Sequence, residues 1–156
     1  MLTVNILAIE TSCDETSASI CSDGKILSNI IATQQIHAQY GGVVPELASR
    51  AHIQQIIPVI DSALSTAGIS KKDLNAVAFT HSPGLIGALL VGAEVAKSLA
   101  LCLDIPLIKV HHMQAHVLAN LIGTKTPKFP FIPCTPVSAS PRSATFWFLA
   151  QRCKFT

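Results

Sequence analysis

The sequence predicts an α/β fold, a mixed sheet with an N-terminal antiparallel hairpin and flanking helices, on three observations. Two β-rich runs meet at Asp23-Gly24, a dipeptide suited to the tight turn of a hairpin. Strand-like and helix-like segments then alternate, the order that places helices on the faces of a sheet. The 156 residues are 49% hydrophobic and 13% charged, which excludes an open disordered chain and suffices for a real core.

Val4 to Ile9 is a short β-rich run, and Thr16 to Cys21 alternates small polar and apolar side chains before the turn into Lys25 to Ala32. These three read as consecutive antiparallel strands. A loop over His37 to Val44 follows. Pro45 then fits the first position of a helix, where its missing N–H costs nothing. Glu46 and Arg50 make an i,i+4 pair on that helix. Pro58 removes a backbone bond and is expected to kink or divide it, and Gly68 to stop it. Leu74 to Thr80 reads as the next strand. Pro83-Gly84 turns it into a helix reaching about Leu103, apolar on nearly every side and so expected to be buried. Asp104-Ile105-Pro106 ends that helix, Leu107 to Val110 forms another strand, and His112 opens a helix to about Ile122.

The net charge of +2 is too small for a strongly basic nucleic-acid binder, and it is unevenly placed. Residues 1–132 hold 8 Lys and Arg against 9 Asp and Glu, whereas residues 133–156 add Arg142, Arg152 and Lys154 with no acid. Five prolines between Pro127 and Pro141 exclude a helix or central strand there. The five cysteines are an odd number without a Cys-x-x-Cys, which reads as reduced thiols in a cytoplasmic protein. Met1 to Ile9 lacks a basic start and Glu10 ends its apolar run, so a signal segment is not expected there. The uncharged stretch Leu74 to Ala93 is interrupted by His81-Ser82-Pro83-Gly84, so strand, turn and helix explain it better than a membrane span.

Four segments could carry chemistry. In Val110-His111-His112-Met113-Gln114-Ala115-His116, His112 and His116 stand four apart, on one helical face. That spacing suits two imidazoles on one metal ion, and equally a solvated or core pair. The His-Glu-x-x-His peptidase motif is absent, because no glutamate follows His112. Glu10-Thr11-Ser12-Cys13-Asp14-Glu15-Thr16 could hold phosphate oxygens or a cation, or could be a polar turn bonding its own backbone. Cys13, beside Asp14 and Glu15, is expected to be an unreactive thiol. The glycines of Thr80-His81-Ser82-Pro83-Gly84-Leu85-Ile86-Gly87 could admit an anion to a helix start, or serve close packing together with Gly92. Gly41 to Arg50 is a loop entering a helix, from which no function follows.

Taken together, Ile9-Glu10-Thr11-Ser12-Cys13-Asp14-Glu15-Thr16, then Tyr40-Gly41-Gly42-Val43-Val44-Pro45-Glu46-Leu47-Ala48-Ser49-Arg50, then Pro83 to Gly92, then Val110 to His116 closely resemble the bacterial tRNA threonylcarbamoyladenosine synthase family. This family formerly carried the label glycoprotease or O-sialoglycoprotein endopeptidase. The resemblance runs from about Val4 to Ile132, with Ser82 where the family usually has glycine. It implies the first lobe of an actin-like ATPase (ribonuclease H-like) fold over residues 1–132, without the second lobe. It implies transfer of a threonylcarbamoyl group from threonylcarbamoyl-AMP to the exocyclic amine of the adenosine next to the anticodon, in tRNAs reading codons that begin with A. His112 and His116 would hold one divalent metal ion, iron or alternatively zinc, and Asp14 and Glu15 would be catalytic residues near the reacting groups. The implied partners are tRNA, threonylcarbamoyl-AMP and the proteins of the threonylcarbamoylation complex, a non-catalytic paralogue among them, with no membrane.

Beyond Ile132 the resemblance stops. Phe129-Pro130-Phe131-Ile132 is followed by Pro133-Cys134-Thr135-Pro136 in place of the strand and Ser-Gly-Gly-His-Thr loop of the family. Residues 133–156 are therefore expected to be an out-of-frame or disordered tail, and the chain to be inactive alone. The competing readings are a non-catalytic paralogue, against which the paired histidines count, an ATP phosphotransferase, whose Asp-x-Gly-x-Thr hairpin is missing, and a metallopeptidase lacking its base.

Overall fold

A computed structural model describes residues 3–121. The expected boundary at residue 132 and the tail 133–156 lie outside the described residues. Strands β1 (Asn5–Glu10), β2 (Glu15–Ser22) and β3 (Lys25–Thr33) form an antiparallel meander. Asp23 and Gly24 take φ of 46° and 80°, the left-handed geometry that a two-residue hairpin turn requires. A 3-10 turn over Gln35–Tyr40, within the expected loop, ends at Gly41 with φ 68° and leads to helix α1 (Pro45–Ala67).

Helix α1 starts with proline in its first turn and ends at left-handed Gly68, as the sequence predicts. The expected division at Pro58 does not occur: α1 is a single helix of 23 residues. Pro58 sits on the exposed side, so its ring meets solvent. Ile56, Val59, Ile60, Ala63 and Leu64 on the other side stay buried against the sheet and hold the helix together.

After a 3-10 turn at Lys71–Asp73, strand β4 (Ala76–Ser82) pairs parallel with β1, helix α2 (Ile86–Leu103) crosses over, and β5 (Leu107–His111) pairs parallel with β4. Helix α3 (His112–Ala119) begins where β5 ends. The sheet order is β3-β2-β1-β4-β5. The Leu74 to Ala93 stretch is thus strand, turn and helix.

Helix α2 corrects one expectation. It is long and apolar enough to cross a membrane by length and composition, yet only a stripe of Ala88, Gly92, Ala96 and Ala100 is buried. Ile86, Leu90 and Leu101 are 79%, 54% and 83% exposed. Overall apolarity suggested burial all round, but packing selects the small-residue stripe, which alone lets the helix axis approach the sheet closely.

The core has two unequal sides. Leu7, Ile9, Ile20, Val77 and Phe79 face α1 and α2 in the larger cluster. Ile6, Ala8, Ala76, Ala78, Val110 and Ala115 form the smaller one, on the side of α3. Strand periodicity assigns Glu10 to the same side as Ile6 and Ala8. The architecture is a five-stranded mixed sheet with α1 and α2 packed on one face and α3 on the other.

Candidate functional site

The carboxyl ends of β1, β4 and β5 and the start of β2 lie at one end of the sheet, where open α/β sheets bind their ligands. At this end the loop after β1, the turn after β4 and the start of α3 converge. Thr11 Oγ1 donates to the Ala88 carbonyl at 2.9 Å, and the Leu85 N–H donates to the Ser12 carbonyl at 2.8 Å. The N–H of Leu85, at the mouth of α2, is therefore already used within the protein.

Glycines explain how the turn and the loop come so close. A Cβ on Gly84 would lie 2.6 Å from the Ser12 carbonyl oxygen, and one on Gly92 would lie 2.3 Å from Thr11 Oγ1. A Cβ on Gly87 would meet Ser49 Oγ at 2.4 Å. Of the two readings of these glycines, the structure supports close packing.

Glu10 closes β1 as a carboxylate only 1% exposed. Its Oε1 accepts the Ser12 N–H and its Oε2 accepts the Thr80 hydroxyl. His112 Nδ1 lies 3.4 Å from the same Oε2 and 3.1 Å from Ser12 Oγ. Burial by itself would raise the carboxyl pKa, but the hydrogen bonds from His112, Ser12 and Thr80 outweigh it and hold Glu10 below 4.5. Glu10 is therefore ionised at neutral pH.

On α3, His112 and His116 face each other with Nε2 atoms 2.9 Å apart and rings at 84°. The preceding His111 caps the helix, its Nδ1 accepting the Gln114 N–H at 3.4 Å. Burial, reinforced by the neighbouring His112, holds His116 below the ordinary 6.5, so its ring is neutral at physiological pH. Two imidazole nitrogens converging on one point are a donor set suited to a borderline metal ion. They are not a complete one: no group of three or more His, Cys, Asp or Glu able to hold a metal occurs among the described residues.

Asp14 and Glu15 lie at the same end of the sheet but in a different neighbourhood. Glu15 Oε1 accepts the Thr33 hydroxyl at 3.3 Å. Glu15 stands on β2, separated from β5 by β1 and β4, on the order of 14 Å at about 4.8 Å per strand. Asp14 interacts with Cys13, where partial burial and the Asp14 carboxylate push the thiol up to about 11. The thiol is thus unreactive, as the sequence predicts.

Glu10 and Thr80 fall within candidate segments of the sequence but have no individual role there, and the sequence does not single out His52. His52 is fully buried on α1, its Nε2 3.0 Å from the Cys13 carbonyl and its Nδ1 2.7 Å from Thr16 Oγ1. For Glu10 the signal was available: alternation along Ile6, Ala8 and Glu10 directs a carboxylate inward, where it must find donors. For His52 no local pattern distinguishes it from a surface histidine.

The sequence profile of the family described as "TsaD: tRNA N6-adenosine threonylcarbamoyltransferase" matches residues 25–145. A tRNA N6-adenosine threonylcarbamoyltransferase of Christiangramia forsetii is 61% identical over 135 residues, covering 85% of this chain and 40% of that protein. Its counterpart in Cytophaga hutchinsonii is 61% identical over 137 residues, again with 40% of that protein covered. The chain therefore spans about two-fifths of the length of these relatives. Among solved structures, YeaZ from Pseudomonas aeruginosa superposes with a TM-score of 0.62 at 20% identity, over 76% of this chain and 48% of that one, a likeness of fold. Sheet order, the convergence of the loops at the carboxyl end and the family match agree, and the chain belongs to the tRNA N6-adenosine threonylcarbamoyltransferase family.

Proposed function

We propose that this chain forms the metal-bearing lobe of a cytoplasmic tRNA-modifying acyltransferase. In that reaction the exocyclic amine of an adenosine next to the anticodon attacks the carbonyl of threonylcarbamoyl-AMP. The new C–N bond forms, the C–O bond to the phosphate breaks, AMP leaves and the amine loses a proton. The observation that carries the reading is the facing Nε2 pair of His112 and His116 at the carboxyl end of β5. His112 and His116 would hold a divalent metal ion, which when bound supplies a Lewis acid to polarise a carbonyl or stabilise a leaving phosphate. Iron and zinc both suit imidazole donors.

The protein's own groups do the positioning. The β1–β2 loop, fixed to α2 by Thr11 and Ser12, gives the site a rigid floor. Asp14 and Glu15 supply negative charge beside that floor, placed to orient the amine or take up its proton. The uneven charge of the chain gives no electrostatic capture of tRNA, so the anticodon arm would be gripped mainly by other parts of the complex. The exposed apolar face of α2, with Ile86 and Leu90, suits a protein partner such as the non-catalytic paralogue.

A chimera tests this reading. Residues 1–121 replace the matching part of the Christiangramia forsetii relative, and threonylcarbamoyladenosine formation in tRNA is followed by mass spectrometry. The chimera should modify tRNA, and His112→Ala or His116→Ala should lower the rate by at least about 100-fold. Full activity in both variants would remove the histidines from the site. The 156-residue chain alone should transfer nothing, because two imidazoles hold a metal too weakly.

A further inference from the structure

We infer that Glu10 is a positioning residue for His112: it holds the imidazole in the form that carries its proton on Nδ1 and leaves the Nε2 lone pair directed at His116. The inference rests on the metal-site reading above and adds to it the group that sets the ligand's tautomer.

The Glu10 carboxylate can only accept. It already receives the Ser12 N–H on Oε1 and the Thr80 hydroxyl on Oε2, which fix its plane. His112 Nδ1 sits 3.4 Å from Oε2. With a proton on Nδ1 that contact is attractive; without one, the Nδ1 lone pair would face a carboxylate that is itself only 1% exposed. Ser12 Oγ, 3.1 Å from Nδ1, can accept the same proton and is compatible with this form. Nε2 of His112 then has no proton, and the 2.9 Å contact across to His116 must be an N–H of His116 donating to it. A carboxylate behind a histidine ligand in this way fixes ring orientation and raises the basicity of the far nitrogen.

Glu10 lies in the interior at the end of the central strand, whereas His112 and His116 stand on α3. Burying a carboxylate in an apolar sheet is costly, and nothing in the packing of β1 requires one. The three hydrogen bonds converging on Glu10 offset that cost, and one of them is the contact to His112.

Tautomers can be read without any metal. The chain labelled with nitrogen-15 is studied by long-range nitrogen–proton NMR above the ordinary histidine value of 6.5. His112 should show the Nδ1–H form. Glu10→Gln, which can donate to Nδ1, should move His112 toward the Nε2–H form and, in the chimera, weaken Zn2+ binding about 10- to 100-fold. Glu10→Asp, which keeps the carboxylate, should retain the Nδ1–H form. Thr80→Val loosens the same carboxylate without removing it and should leave the tautomer unchanged, which separates positioning from a general loss of packing. An Nε2–H form of His112 in the unsubstituted chain overturns the inference, as does an unchanged tautomer in Glu10→Gln. The expected tautomers together with Zn2+ binding by the chimera that His112→Ala and His116→Ala leave unchanged support the role of Glu10 and overturn the metal reading of the pair instead.

Discussion

Cys13 and His52 meet at a backbone carbonyl, and the pair shows how burial sets chemistry residue by residue. His52 Nε2–H donates to the Cys13 carbonyl, so the neutral ring offers Nδ1 to the Thr16 hydroxyl. Burial holds His52 below the ordinary 6.5. Its unfolded form therefore takes up a proton first as pH falls. Stability from this group is complete above 6.5 and declines as pH drops through and below that value. Urea midpoints across this range should fall with pH, and His52→Gln should flatten part of that slope. The Cys13 thiol, pushed up to about 11, should alkylate slowly at neutral pH and faster with each step toward 11, as mass spectrometry with iodoacetamide would record. Rapid modification at neutral pH would contradict the assigned environment.

At the scale of the element, helix α2 and helix α1 make opposite demands. Gly84→Ala places a methyl group against the Ser12 backbone, which cannot rotate away, and should cost about 1–3 kcal/mol in thermal or urea unfolding. Gly87→Ala meets the Ser49 side chain, its movable hydroxyl most closely and its Cβ at 3.3 Å, and gains about 1 kcal/mol of helix propensity, so its net effect should be smaller. Equal losses at the two positions would argue against the backbone clash. In α1 the reverse applies. Pro58→Ala restores a backbone donor on the exposed side and should stabilise the protein by up to about 3 kcal/mol. These contrasts mark what was legible in the sequence. Strands β1 to β3, the Asp23-Gly24 turn, the Pro45 start and the Gly68 stop were legible, because each is fixed by local chemistry. The continuity of α1 past Pro58 and the half-exposed α2 were not, because tertiary packing decides which face of a helix matters. The histidine pair could be read from its spacing of four; Glu10 as its support could not, because the contact joins residues about a hundred positions apart.

At the scale of the whole molecule, the sheet is assembled from a local part and a distant part. The hairpins join neighbours, but Ile6 of β1 pairs in parallel with Ala76 of β4, and β1 is buried along its whole length. On the ribosome, β1 emerges with β2 soon after it and β4 only after the whole of α1. At the usual rate of about 5–20 residues per second, that interval lasts several seconds. Throughout it the apolar edge of Asn-Ile-Leu-Ala-Ile-Glu presents unpaired N–H and C=O groups to any other extended chain. A nascent chain stalled before β4 would thus carry an adhesive strand, and that edge stays open to other chains until residue 76 is made.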